Sequence, residues 1–149
     1  MLISTKCQYA LRAVYEIALS NHKGVMTIGE IAKAQRVPRR YLEGILNQLR
    51  KGGLLEAQRG RSGGYRLTKG ADKITVGDVV RQIDGQIRAV VCVEETRATD
   101  CPMREDCVFL PTWHKVQQAI DQALDSTDFH HLVELERASR REGCSDYTI

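Results

Sequence analysis

The sequence contains no apolar run close to the roughly 20 residues that a helix needs to cross a bilayer, so no membrane partner is expected. It shows no secretory signal: the first twenty residues carry Lys6, Arg12 and Glu16, and no small-residue cleavage site follows. It also lacks a phosphate loop, a Ser/His/Asp order and a nucleotide-binding glycine pattern. His22, His130 and His131 have no ligand partners at useful spacing. There is no internal repeat and no low-complexity segment. These absences set the expectation of a cytoplasmic, non-enzymatic protein with no small-molecule substrate. In a reducing compartment the five cysteines are more naturally thiols or metal ligands than a disulfide framework, and five is an odd number.

What is present is a chain of 149 residues, 42% hydrophobic, enough for one compact domain or a small domain with an assembly element. Its net charge of +3 conceals an asymmetry. Residues 1–80 hold 14 Lys and Arg against 6 Asp and Glu, a net +8. Residues 81–149 hold 8 against 13, a net −5. A basic half joined to an acidic half suggests a polyanion-binding module attached to one with another task.

Three helices are expected in the basic half. The first runs from about Ser4 or Thr5 to Ser20, with Tyr9, Ala10, Ala13, Val14, Ile17 and Ala18 on one stripe. Thr27 and Glu30 form a capping box for a short second helix that buries Ile28, Ile31 and Ala32. A third spans roughly 38–51, with Pro38 in its first turn and Gly52-Gly53 as its stop. At about 100° per residue, Arg39, Arg40, Glu43, Asn47 and Arg50 share one face and Leu42, Ile45, Leu46 and Leu49 the opposite one. Arg, Asn and Glu can reach guanine, adenine and cytosine edges in a major groove. Taken alone, the same pattern also describes an ordinary surface helix.

The following residues favour DNA. Leu54–Gln58 and Tyr65–Thr68 read as strands around Arg59-Gly60-Arg61-Ser62-Gly63-Gly64, a hairpin tip that projects Arg59 and Arg61. A helix-turn-helix followed by such a hairpin is a winged helix. A helix over 76–84 follows, capped by Thr75 and ended by Gly85. Residues 88–108 lack periodicity and contain Cys92-x8-Cys101-x5-Cys107, Pro102 and five acidic residues, so they read as a long loop. From Pro111 a helix resumes, with Val116, Ala119, Ile120, Ala123 and Leu124 on one stripe. A short last helix from about Thr127 carries Phe129, Leu132, Val133 and Leu135, and Arg140–Ile149 reads as a loose tail. The fold class is thus mainly α with a small β-hairpin. Its parts are a winged helix-turn-helix over 1–84, a cysteine loop over 85–110, helices over 111–140 and a tail over 141–149.

The chain resembles the IscR family of bacterial regulators, the Rrf-type proteins that include IscR, NsrR, RirA and CymR. The likeness lies in Tyr9-Ala10, Tyr41-Leu42-Glu43, Leu49-Arg50-Lys51-x-Gly53-Leu54, Arg59-Gly60, Gly63-Gly64-Tyr65, Val76-Gly77-Asp78-Val79, and the three cysteines followed by Trp113. The resemblance implies a homodimeric winged-helix regulator on a palindromic double-stranded DNA operator, with a dimer helix after the cysteine loop. It places Arg40, Glu43 and Arg59 at DNA-contacting positions; the stripe Val116, Ile120, Ala123 and Leu124 has no further core in so small a chain and is expected to pair with its copy as the dimer interface. It implies that Cys92, Cys101 and Cys107 hold an iron–sulfur cluster, 2Fe–2S or 4Fe–4S. The sequence departs from the family pattern in four places. Arg61 stands where proline is frequent, and the first cysteine interval is eight residues rather than five. Leu110 and Gln8 stand where some members place a histidine or aspartate cluster ligand.

The thiols agree with that implication. Soft thiolates suit iron–sulfur clusters and zinc, and neither interval has the C-x2–4-C spacing of a zinc knuckle. Four cysteines normally hold a cluster, so three leave one iron with a non-cysteine ligand, a small molecule or an open position, the candidate ligands being Glu94, Glu95, Asp100, Glu105, Asp106, His114 or a residue of a partner chain. Cys7 reads as a packing residue, Cys144 as incidental and Trp113 as a packing anchor. The expected function is a regulator whose operator affinity follows the cluster. The alternatives are a cluster-free, CymR-like repressor controlled by a protein partner, or an electron carrier using the same thiols.

Overall fold

The computed structural model describes residues 3–20, 24–93, 101–104 and 106–145, with side chains to 141. Helix α1 (Thr5–Leu19) starts at Ser4, whose hydroxyl accepts the Cys7 N–H at 3.0 Å. Its buried stripe is Cys7, Ala10, Ala13, Val14, Ile17 and Ala18. Helix α2 (Ile28–Gln35) begins with both halves of the Thr27–Glu30 capping box in place. It ends at Arg36, held in the left-handed region at φ 53. That residue turns the chain through buried Val37 to Pro38, the N-cap of α3 (Arg39–Lys51). Leu42, Ile45, Leu46 and Leu49 are buried along α3, which packs on α1 and α2.

Strands β1 (Leu55–Gln58) and β2 (Gly64–Leu67) pair antiparallel, Leu55 opposite Leu67 and Gln58 opposite Gly64. Both sit one residue from the ranges that the sequence suggests. No local signal marks a third extended piece, Met26, which exchanges both backbone hydrogen bonds with Tyr65 at 2.9 and 2.7 Å. Gly64 permits this: a Cβ there would lie 2.5 Å from the Met26 carbonyl oxygen. Helix α4 (Val76–Asp84) opens with a Thr75–Asp78 capping box and ends at Gly85, φ 80.

Helices α5 (Leu110–Asp125) and α6 (Phe129–Ser145) leave the winged unit and return to it. Asp128 bridges Thr75, the Val76 N–H donates to the Thr127 carbonyl at 2.8 Å, and the Phe129 N–H donates to the Ile74 carbonyl at 3.1 Å. Phe129 and Val133 then enter the same core as α1, α2, α3, Leu55, Leu67, Ile74 and Val79.

Helix α6 corrects two expectations. It is 17 residues long rather than short, and it occupies the segment read as a tail as far as Ser145. Ion pairs one turn apart support the extension: Arg137 with Glu134 at 2.7 Å and Arg140 with Glu136 at 2.5 Å. Leu135 is exposed, because the inward line runs Phe129, Val133, Glu136. There Tyr15 donates its hydroxyl hydrogen to the Glu136 carboxylate. Burial first, then that carboxylate, pushes the Tyr15 phenol up. The Tyr15 hydrogen bond, then Arg140, holds Glu136 below the usual carboxylate range.

Phe129 is 1% exposed and closes the α6 side of the core. Phe129→Ala should lower unfolding free energy by about 3–5 kcal/mol in a urea titration. A loss under ~1 kcal/mol would show that α6 is not part of the winged unit's core.

Candidate nucleic-acid interface

One aliphatic row holds α3 down, so its opposite face is turned to solvent. Arg39, Arg40, Glu43, Asn47 and Arg50 are all exposed there. They are arranged but not idle. The Arg50 guanidinium donates to the Asn47 carbonyl oxygen at 3.0 Å. A bidentate contact from Asn47 to adenine uses that oxygen as acceptor and the amide as donor, and the oxygen keeps a second lone pair for it while Arg50 holds the side chain. The Arg40 guanidinium donates to the Tyr41 hydroxyl at 3.1 Å and lies 4.8 Å from the centre of the Tyr41 ring. Arg40 is thereby turned toward α1, to the flank of the face rather than its centre.

The wing follows after Gly53, φ 74, where the Leu54 N–H donates to the Leu49 carbonyl at 3.0 Å and α3 packs on β1. Its tip is Arg59–Gly63. Gly60 sits at φ 111, and the Gly63 N–H donates to the Gly60 carbonyl at 3.0 Å. A Cβ on Gly63 would collide with the Gln58 carbonyl oxygen at 2.4 Å. This tight turn leaves Arg59 and Arg61 exposed, whereas Arg66 is tied to Glu56 across the strands at 2.5 Å. Two exposed guanidiniums at a narrow tip suit phosphates or a narrow minor groove.

The cysteines occupy the connection between α4 and α5. Cys92, Cys101 and Cys107 are free thiols, each partly buried. Cys92 lies in a 3₁₀ turn, Val91–Val93, packed against α5. Cys101 and Cys107 lie on successive turns: the Arg104 N–H donates to the Cys101 carbonyl, the Cys107 N–H to Arg104 and the Leu110 N–H to Cys107. Among the described residues, no three His, Cys, Asp or Glu side chains converge on one metal position. The donor set suits a cluster in its chemistry, and the described backbone does not gather it. Glu94, Glu95, Asp100 and Glu105, four of the candidate fourth ligands, lie outside the described residues, as does His22; Asp106 and His114 are exposed. Cys7 is fully buried, and burial followed by the nearby Asp84 carboxylate pushes its thiol up to about 12. It is a packing residue rather than a ligand.

Sequence reasoning missed Gln117, a buried side chain midway along α5. Its amide donates to the Ile87 carbonyl at 2.8 Å and to Asp121 Oδ2 at 3.2 Å, and its oxygen accepts the Ala89 N–H at 2.9 Å. It clamps the chain just before Cys92. A polar residue inside an amphipathic helix carries no periodic signal, so only its contacts reveal it. Near the other end of α5, Arg81 of α4 is paired with Asp125, and Asp78 lies 3.9 Å away. The stripe read as a dimer surface is left uncovered by this chain: Val116 and Ala123 are exposed, Ile120 and Leu124 half-buried. Val108 and Phe109, just before α5, are 81% and 62% exposed.

A helix-turn-helix with a cationic outer face, followed by an arginine-tipped hairpin, defines a winged-helix DNA-binding protein. Residues 3–135 match the model of the Rrf2 family, described as an iron-dependent transcriptional regulator. The chain belongs to the Rrf2 family and is a DNA-binding transcriptional regulator rather than an enzyme. It is 32% identical over 133 residues to the regulator IscR of Erwinia tasmaniensis, covering 89% of this chain and 79% of that one. It is 33% identical over 133 residues to the regulator CymR of Bacillus subtilis, covering 89% and 90%. Among solved structures it resembles CymR, the global cysteine regulator of B. subtilis, with a TM-score of 0.74 and 31% identity over 91% of this chain and 98% of that one. It also resembles T. potens IscR, with a TM-score of 0.68 and 29% identity over 90% and 87%. No helix among the described residues is long and apolar enough to cross a membrane.

Three outcomes are expected from these sites. Glu43→Ala should change base preference in an operator selection, at about 1–3 kcal/mol per lost base contact, while Arg59→Ala and Arg61→Ala should each reduce the salt slope of binding by about one. Parental behaviour of all three variants at matched salt would remove these faces from the interface. Gln117→Leu leaves the Ile87 carbonyl and Ala89 N–H unpartnered and should cost about 1–3 kcal/mol in urea unfolding. No change would mean that water replaces the clamp.

Proposed function

We propose that this chain binds a palindromic operator as a homodimer, and that Cys92, Cys101 and Cys107 hold an iron–sulfur cluster whose state sets operator affinity. The observation that carries this reading is the placement of the three free thiols in the one segment joining α4 of the winged unit to α5. Support comes from the family's description as iron-dependent and from the likeness to IscR. The uncovered stripe of Val116, Ile120, Ala123 and Leu124 fits a two-fold contact with a second copy. When bound, a cluster on three thiolates supplies an iron centre that is open to oxidants and small ligands.

This chain's own residues do the coupling. Gln117 fixes the approach to Cys92 on α5, and the Arg81–Asp125 pair fixes α5 on α4. A constraint on the cysteine segment therefore bears on the angle between winged unit and dimer helix. Two recognition helices must span about 34–36 Å to enter successive major grooves, and that angle sets their separation. The positions that hold a histidine or aspartate ligand in some relatives are Leu110 and Gln8 here, so neither of those ligands carries over, and the last coordination site is left to another residue, a small molecule or an open position. The cellular setting consistent with a DNA-binding regulator is the cytoplasm.

A second reading is favoured by the unconverged thiols among the described residues and by the likeness to CymR: a cluster-free repressor controlled by a bound protein. Anaerobic reconstitution separates the two. The first reading expects visible absorbance, with iron and sulfide lost in each of Cys92→Ala, Cys101→Ala and Cys107→Ala and retained in Cys7→Ala and Cys144→Ala. Apo and holo forms should differ in operator affinity, and light scattering should give a dimer. A colourless protein without iron that still binds operator supports the second reading, and a monomer rules out the palindrome.

A further inference from the structure

We propose that the hollow between the N-terminal turns of α1 and the flank of α3 is a seat for a sugar–phosphate unit of the DNA backbone. It deepens the DNA-binding reading above and rests on it. The cavity measures about 540 Å³ and is lined by Thr5, Lys6, Tyr9, Arg40, Tyr41 and Gly44 over a floor of Ile45.

Three features fit that occupant. The first is charge: the lining holds two cations and no carboxylate. The Lys6 ammonium donates to the neutral Gln48 amide oxygen at 2.6 Å, and Arg40 donates to the neutral Tyr41 hydroxyl at 3.1 Å. Their charge is not cancelled by these partners, and a phosphate would complete both. The second is shape and surface: the Tyr9 and Tyr41 rings, centroids 5.9 Å apart and tilted 42°, form an apolar wall against which deoxyribose can lie, with their hydroxyls as donors. The third is Gly44. It lies inside a 13-residue helix, where glycine is the least favourable residue after proline. Nothing in the protein requires it, because an added Cβ would meet no atom within 4 Å. An exposed helical glycine that packing does not explain suits close approach by something outside the chain. Arg40, Tyr41 and Gly44 adjoin Glu43 and Asn47 on the same helix, so a strand bordering the groove entered by α3 passes over this hollow.

Gly44→Leu and Lys6→Ala test the seat without touching the buried core. Gly44→Leu should raise the melting temperature, since leucine is the better helix former. It should nonetheless weaken operator and unrelated duplex alike, on the order of tenfold. Lys6→Ala should lower the salt slope of binding by about one with base preference unchanged. A duplex with one methylphosphonate at the bordering phosphate should bind the parent more weakly and cost Lys6→Ala nothing further. Parental affinity for Gly44→Leu, or an unchanged slope for Lys6→Ala with no methylphosphonate position coupled to it, overturns the seat. The recognition reading survives that result as long as Glu43→Ala still changes base preference, and it fails separately if that variant does not. A small anion copurifying with the parent and lost in Tyr41→Phe, together with an unchanged slope, overturns the seat in favour of an effector pocket.

Discussion

Everything that α3 presents to the outside depends on four side chains beneath it. Leu42, Ile45, Leu46 and Leu49 are essentially removed from solvent, and each contributes about 1.5–3 kcal/mol by that burial. A helix cannot rotate about its axis without drawing one of them back into water. The direction of Glu43, Asn47 and Arg50 is therefore set by an apolar lock on the other side of the same cylinder. The turn before it adds a second restraint, since Arg36 is held at positive φ and Val37 is buried immediately after. The wing is set by similar means. Leu55 and Leu67 anchor the strands in the core, and Gly64 lets Met26 pair close against them.

The remainder of the molecule is a closed excursion from this unit. The chain leaves at Gly85, passes the cysteines and α5, and is fastened back at Asp128 and Phe129. Both ends of the excursion are therefore tied to the winged unit. Gln117, midway along α5, and the Arg81–Asp125 pair at its C-terminal end hold the excursion in place, one through neutral hydrogen bonds and one through charge. The α5 stripe is left only partly covered because Phe129 and Val133 of α6, not α5, complete the core.

The winged unit was legible in the sequence because its signals are local and redundant. Capping boxes at Thr27 and Thr75, glycine stops at 52–53 and 85, and a clean 3.6-residue period on α3 each stand for one physical event within a few residues. The unreadable parts depend on distant partners. Met26 becomes strand only because Tyr65 lies beside it. Gln117 is a clamp only because residues 87–89 pass over it. Helix α6 runs past its expected end on side-chain ion pairs and on Tyr15, 121 positions away in sequence. The cysteine residues are easily found, but their spacing carries no period from which a shape could be read, and the described structure does not gather them.

The Arg81–Asp125 pair has a further consequence. Both side chains are partly open to solvent, so dissolved salt screens their attraction as it screens guanidinium from phosphate. Ionic strength thus acts twice on this molecule, at the DNA surface and at the joint that orients α5. A plot of log affinity against log salt counts every ion taken up or released, whichever surface it belongs to. Where the pair opens or closes on binding, the joint adds its own ions to that slope beyond those released by the phosphates.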